Sequence, residues 1–188
     1  MTSPKGKIVI LSGPSGVGKT TLYKKILSTT PGLAKTISVT TRLPRPGEHH
    51  GKDYFFVTPK QFLSQRKTGQ FLESQKVFDN YYGTPKKQVR DLLKKGKNIL
   101  LSIDVKGAKV VRRAFPQAIT IFIQPPSLKE LQERLEKRAS ESKESIQLRL
   151  KRARQELRDA INYNYIIIND DLGKSSKKLR VLIKILLK

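Results

Sequence analysis

Gly13-Pro14-Ser15-Gly16-Val17-Gly18-Lys19-Thr20 is the segment of this chain with the most chemistry per residue. Its glycines let the backbone curl until successive N–H groups converge on one anion, and a helix opening at its end adds partial positive charge. A lysine placed there reaches β- and γ-phosphates as a mobile point charge, and the next hydroxyl can ligate the Mg²⁺ that bridges them. The spacing G-x-x-x-x-G-K-T follows an apolar run and opens a helical pattern, the context a phosphate loop requires. Residues 13–20, with Thr21 behind them, are therefore expected to hold a nucleoside triphosphate, and Thr20 its metal. A glycine-rich turn without a ligand is the competing reading, disfavoured by the complete motif.

A phosphate loop leaves the reaction open, so the acceptor side must decide it. Ser38-Val-Thr-Thr-Arg42-Leu-Pro-Arg45-Pro-Gly-Glu48 sets two arginines three residues apart beside a proline-stiffened turn. Paired guanidinium forks suit a phosphate monoester, since each donates two parallel hydrogen bonds. Asp53-Tyr54-Phe55-Phe56, Phe71-Leu72-Glu73 and Asn80-Tyr81-Tyr82-Gly83-Thr84 follow. Singly these are weak signals: Tyr54 and Tyr82 read equally as core aromatics, Glu73 as a solvated charge, and Arg42 and Arg45 as surface residues.

The elements that must position these residues show in the apolar pattern. Runs at 8–11, 99–103, 119–123 and 165–168 are Ile-rich and continuous, as parallel strands buried on both faces should be. Helical patterns lie between them at 19–27, 85–95, 127–137 and 146–161, with Ser127 and Glu130 at capping-box spacing. The alternation predicts an α/β fold with a mostly parallel sheet flanked by helices. Residues 38–84 break the pattern and read as a small insertion with its own strands. Residues 131–154 look charged nearly all round, with little apolar surface to bury, which predicts a mobile segment. The final stretch carries Leu179, Leu182, Ile183, Leu186 and Leu187 on one stripe. It is expected to dock on the sheet with Arg180, Lys184 and Lys188 in water, rather than lie on a membrane.

Composition bounds the rest. The 188 residues suffice for one well-buried core, 37% are hydrophobic, and there are no cysteines, so disulfides and thiol chemistry are excluded. No apolar run approaches a membrane span or a signal-peptide core, so a cytoplasmic protein is expected. The formal charge is +24, from 39 Lys and Arg against 15 Asp and Glu. Such charge favours polyanions, but the basic residues are spread along the chain without aromatic interleaving. An anionic substrate with lysine-rich solvated faces is the preferred reading, with no specific nucleic-acid partner. His49-His50 reads as solvated loop.

Taken together and in this order, the motifs resemble the guanylate kinase family over nearly the whole chain, as far as Ile168-Asn169-Asp170-Asp171. The resemblance implies a P-loop NTPase core at residues 1–36, 85–130 and 152–188, a GMP-binding insertion at 37–84, and a helical lid at 131–151. It implies ATP and GMP (or dGMP) as substrates, Mg²⁺ as cofactor, a role in purine nucleotide metabolism, and a monomer or homodimer. Arg42, Arg45, Tyr54 and Tyr82 correspond to ligands of the GMP phosphate, with Glu48 in the same motif; Ser38, Glu73, Thr84 and Asp104 correspond to guanine readers. A carboxylate at Glu73 can accept from both N1–H and N2–H of guanine, and adenine has neither donor on that edge. Arg134, Arg138 and Arg149 correspond to lid arginines that act with Lys19 and Arg42 in catalysis, and Asn169 to the adenine contact. Two positions depart from the family pattern. Ser102-Ile103-Asp104 stands where Asp-x-Asp is usual, so a hydroxyl replaces a carboxylate on the face residue 104 shares, and retained but reduced activity or altered Mg²⁺ dependence is expected. Ala139 follows Arg138 where glycine is usual. A guanylate-kinase-like binding module without catalysis is the alternative, opposed by the intact loop.

Overall fold

The computed structural model describes residues 6–137 and 143–187. In chain order its first half reads β1 (Ile8–Ser12), α1 (Lys19–Thr29), β2 (Leu33–Lys35), β3 (Val39–Thr40), β4 (Phe55–Phe56), α2 (Pro59–Lys67), β5 (Phe71–Val77) and β6 (Asn80–Pro85). The second half reads α3 (Lys86–Lys94), β7 (Asn98–Ser102), α4 (Val105–Ala114), β8 (Ile119–Gln124), α5 (Leu128–Glu136), α6 (Lys143–Arg158), β9 (Tyr165–Ile168) and α7 (Leu172–Leu186).

Five strands form an all-parallel sheet in the order β2-β7-β1-β8-β9. Every residue of β1 is buried, because helices cover both faces of a sheet built from crossovers. Its alternate side chains feed two cores. Ile8 and Ile10 pack with Val89 and Leu93 of α3 and Val111 of α4. Val9 and Leu11 pack with Leu22 and Ile26 of α1 and Leu179 and Ile183 of α7. The terminal helix thus docks on the sheet as expected. Arg180 is half-buried rather than fully in water, Lys184 is exposed, and Lys188 lies outside the described residues.

Two further expectations need correction, and one strand escaped the apolar pattern. The strand at 165–168 is not buried on both faces: as β9 it edges the sheet, with Ile166 47% and Ile168 51% exposed. Strand β2 has no counterpart in the apolar runs, being three residues long with only Leu33 apolar and large. Most consequentially, the segment at 131–154 is not polar all round. Leu131, Leu135, Ile146 and Ala153 form a buried cluster, backed by Leu128 and Leu150. The helix expected at 146–161 runs continuously from 143 to 158 and ends in a 3₁₀ turn at Asp159–Asn162.

A second sheet, β4-β3-β6-β5, is antiparallel except for the β3–β4 pair. Helix α2 opens with Thr58 and Gln61 in a reciprocal capping box. Its Phe62, fully buried, stacks between Phe71 and Tyr81 at 4.6 and 5.3 Å between ring centroids. This stack seats α2 on the sheet and leaves the opposite face free to confront the phosphate loop.

Candidate active site

Strand β1 ends at Ser12 and the chain turns through the glycine-rich loop into α1. Gly18 caps that helix at φ 91°, a left-handed conformation in which a side chain is strained, and a Cβ there would lie 2.5 Å from Asn169 Nδ2. Asn169 is buried and donates from Nδ2 to the Val17 carbonyl at 2.8 Å, while its Oδ1 has no hydrogen-bond partner. Lys19 Nζ donates to the carbonyls of Gly13 (2.5 Å) and Pro14 (2.7 Å), folding over the loop whose amides it must supplement. Gly16 lies under α5, where a Cβ would come within 2.8 Å of Leu135. The buried stripe of α5 therefore packs on the loop itself.

Beside the loop opens a cavity of about 190 Å³, lined among others by Lys19, Ser38, Glu73, Tyr82, Ser102 and Asp104. Glu73 is only 6% exposed. Thr84 Oγ1 donates to its Oε1 at 2.6 Å. Burial, with Asp104 nearby, pushes the Glu73 carboxyl up to about 7 against the hydrogen bonds from Thr84. Its Oε2 rests on Gly107, where a Cβ would stand 2.6 Å away. Asp104 caps α4 by accepting from Gly107 N–H at 2.7 Å through Oδ1. Its Oδ2 accepts from Arg152 Nη2 at 2.9 Å, and Arg152 Nε donates to Glu156 Oε1 at 2.8 Å.

A second, wider cavity of about 760 Å³ shares Ser15, Lys19, Thr20 and Tyr82 with the first and adds Arg42, Arg45 and Arg149. Arg42 donates from Nη2 to both Glu48 oxygens at 3.0 and 2.8 Å and from Nη1 to the Leu43 carbonyl at 2.6 Å. Partial burial would raise the Glu48 carboxyl, but the Arg45 N–H and the Arg42 guanidinium outweigh it and hold Glu48 below its ordinary value. Tyr54 meets Tyr82 edge-on at 6.2 Å. Burial and Tyr82 raise the Tyr54 phenol above its ordinary value, so it stays a neutral donor. Arg45 is exposed. Guanidinium and phenol donors thus face the loop across an open gap, an arrangement that can grip one phosphate opposite another.

The structure gathers Gly13, Ser15, Lys19, Thr20, Ser38, Glu73, Tyr54, Tyr82 and Asp104 around the smaller cavity. Arg42, Arg45, Gly16, Gly18, Thr21 and Arg149 join the larger one. Pro14 and Val17 complete the loop, and Thr84 reaches the site through Glu73. Arg149 Nη1 donates to Ser15 Oγ at 2.8 Å. Arg134 is not brought to the phosphates: it pairs with Glu130 and donates to the carbonyls of Asn169 (2.9 Å) and Asp170 (3.3 Å). Arg138 lies outside the described residues.

Thr20 and Ser102 present hydroxyls to the same cavity as Asp104. Among the described residues no three His, Cys, Asp or Glu cluster as a metal cage. Such a donor set fits Mg²⁺, which keeps several waters and takes phosphate oxygens rather than an all-protein shell. His50 Nδ1 accepts from Phe56 N–H at 3.2 Å and its ring packs edge-on against Phe55, a structural loop role.

Four site residues escaped the sequence reading: Phe78, Gly107, Arg152 and Glu156. A glycine within a helix, as Gly107 is in the first turn of α4, was a usable signal, since helices disfavour glycine unless something approaches closely. Arg152 and Glu156 lay hidden among the charges of α6.

The family model for guanylate kinase matches residues 5–185. A guanylate kinase of Nitrosospira multiformis is 47% identical over 184 residues, covering 98% of this chain and 88% of the relative. One from Rickettsia bellii is 44% identical over 183 residues, covering 97% and 96%. Among solved structures, the guanylate kinase of Anaplasma phagocytophilum matches with a TM-score of 0.81 at 34% identity, covering 100% of this chain and 89% of that one.

Proposed function

The chain belongs to the guanylate kinase family, and from that membership we propose that the two cavities meeting at Lys19 and Tyr82 hold its two nucleotides. It is a nucleotide kinase that transfers the γ-phosphoryl group of ATP to GMP. Nothing in the site favours a non-catalytic binding module, since Gly13, Gly16, Gly18, Lys19 and Thr20 are all in place.

The observation carrying the assignment of the acceptor is a buried carboxylate, Glu73, facing a base-sized cavity that opens onto the phosphate loop. Ionised Glu73 accepts from guanine N1–H and N2–H, with Ser38, Thr84 and Asp104 completing the base site. The assigned readers address the base rather than the sugar, so dGMP is expected as an acceptor as well. Arg42, fixed by Glu48, joins Arg45, Tyr54 and Tyr82 on the GMP phosphate. On the donor side the loop amides cradle the ATP phosphates, Lys19 leaves its carbonyl partners for the β- and γ-phosphates, and the free Oδ1 of Asn169 accepts from the adenine amine. A GMP phosphate oxygen then attacks the γ-phosphorus as the bond to the β–γ bridging oxygen breaks, releasing ADP. Mg²⁺, held by Thr20 with Ser102 nearby, would neutralise charge on the phosphate oxygens. Arg149, already beside the loop, stabilises the transferring group. Arg134 and Arg138 complete the lid, and Arg134 must first release the carbonyls it now holds. Closure of the lid at 131–151 over the insertion at 37–84 excludes water, so that GMP rather than solvent accepts the phosphoryl group.

Among the described residues no helix is long and apolar enough to cross a membrane. A cytoplasmic monomer or homodimer serving purine nucleotide metabolism, without a specific nucleic-acid partner, is the setting that suits this chemistry. The test is direct product analysis with ATP and each of GMP, dGMP, AMP, UMP and CMP. Turnover is expected only with the guanine nucleotides, with the preference lost in Glu73→Ala. Equal turnover of AMP by the unaltered enzyme would overturn the base-site assignment.

A further inference from the structure

Phe78 is the one non-glycine residue, among those described, with its backbone in the left-handed region, at φ 53°. Val77 pairs with Asn80, so Phe78 and Asp79 make the two-residue turn between β5 and β6. Such turns need positive φ at their first position and normally take glycine, asparagine or aspartate there. A bulky ring in that conformation is strained, so the side chain must gain elsewhere what the backbone loses.

The gain lies on α6. The guanidinium carbon of Arg149 stands 4.5 Å from the ring centroid and that of Arg152 5.7 Å, both within cation–π range. The two arginines, three residues apart, share one helix face. Each is anchored at another part of the site: Arg149 to Ser15 of the phosphate loop, and Arg152 to Asp104 and Glu156. Phe78 lines both cavities. At this ring the acceptor sheet, the lid helix and, through Ser15, the phosphate loop meet.

We propose that Phe78 is a positioning residue for phosphoryl transfer: its ring seats Arg149 over the phosphate loop, with Arg152 as a second grip, so that acceptor sheet and lid helix are coupled. This rests on the stabilising role assigned above to Arg149. Arg152 retains its bonds to Asp104 and Glu156 without the ring, so turnover falls while acceptor affinity changes little.

The experiment measures kcat and KM for GMP at saturating ATP in Phe78→Leu, Phe78→Ala, Phe78→Tyr, Arg149→Ala and the Phe78→Leu/Arg149→Ala double variant, with melting temperatures throughout. Leucine keeps apolar bulk without a π-face. Phe78→Leu and Phe78→Ala are expected to lower kcat about 3- to 30-fold, the rate equivalent of a cation–π contact, with KM nearly unchanged and Phe78→Tyr near the parent. In the double variant the Phe78 effect should vanish, because it acts through Arg149. If Arg149→Ala costs turnover but Phe78→Leu does not, the positioning role is wrong while the Arg149 assignment stands. If the two effects multiply, Phe78 acts independently and the proposal fails. If Arg149→Ala leaves kcat intact, the Arg149 assignment itself is wrong, and the positioning role falls with it.

Discussion

If Glu73 reads guanine as proposed, burial of its carboxyl should make that recognition pH-dependent in the neutral range. Its protonated form loses an acceptor and adds an O–H donor facing the two donors of guanine, so only the carboxylate binds the base well. With a pKa of about 7 in the free enzyme, apparent affinity scales with the ionised fraction. Guanine should therefore bind roughly tenfold more weakly at pH 6 than at pH 8. The GMP phosphate titrates near this window too, so guanosine, which lacks it, is the better probe. Its inhibition constant against GMP should rise toward about one decade per pH unit below 7, and be level above. Glu73→Gln should show no break. A flat guanosine profile from pH 5.5 to 8.5 in the unaltered enzyme would refute the assignment. The same shift has a consequence for stability. Because the folded-state value lies above the ordinary 4.5, its contribution is full below pH 4.5 and is lost as pH rises through 7. The span corresponds to roughly 3 kcal/mol at most. Glu73→Gln should accordingly melt above the parent at pH 8, and not at pH 4.5, while losing its grip on GMP.

Gly107→Ala inserts a methyl 2.6 Å from Glu73 Oε2; overpacking of about 1–3 kcal/mol predicts at least about a fivefold rise in KM for GMP, and an unchanged KM would show that the floor of the pocket yields. Glu48→Gln removes the charge that fixes Arg42, which should raise KM for GMP about tenfold while leaving KM for ATP alone; steady-state kinetics with each substrate varied separately would decide it. Ser102→Asp restores a carboxylate near Thr20, and Mg²⁺ titrations of velocity should reach their midpoint at lower metal concentration; superimposable curves would remove Ser102 from the metal's surroundings.

What could be read from sequence, and what could not, divides along the range of the interaction. The phosphate loop, strands β1, β7 and β8 and the capped start of α5 depend on residues within a few positions of one another, and their spacing carried the information. Strand β9 shows the limit of that logic: Tyr165-Ile-Ile-Ile168 has the composition of a buried strand, but only sheet order makes it an edge. The lid segment is a sharper case. Leu131, Leu135, Ile146 and Ala153 make a buried cluster with Leu150 packed against it, hidden in a count of charges because the exposed faces of α5 and α6 carry so many. A segment that seemed to lack apolar anchorage in fact packs Leu131 and Leu135 on Gly16, so any movement of α5 is felt at the phosphate loop. Arg152 was illegible for a stronger reason, since its meaning comes from Asp104, distant in sequence. Arg152 links α6 to the Asp104 carboxylate, and Phe78 links the second sheet to Arg149, which is bonded to Ser15 of the phosphate loop. On the proposed assignments, recognition of guanine and closure over the phosphoryl group would be mechanically joined through side chains outside the motifs that first pointed to the reaction.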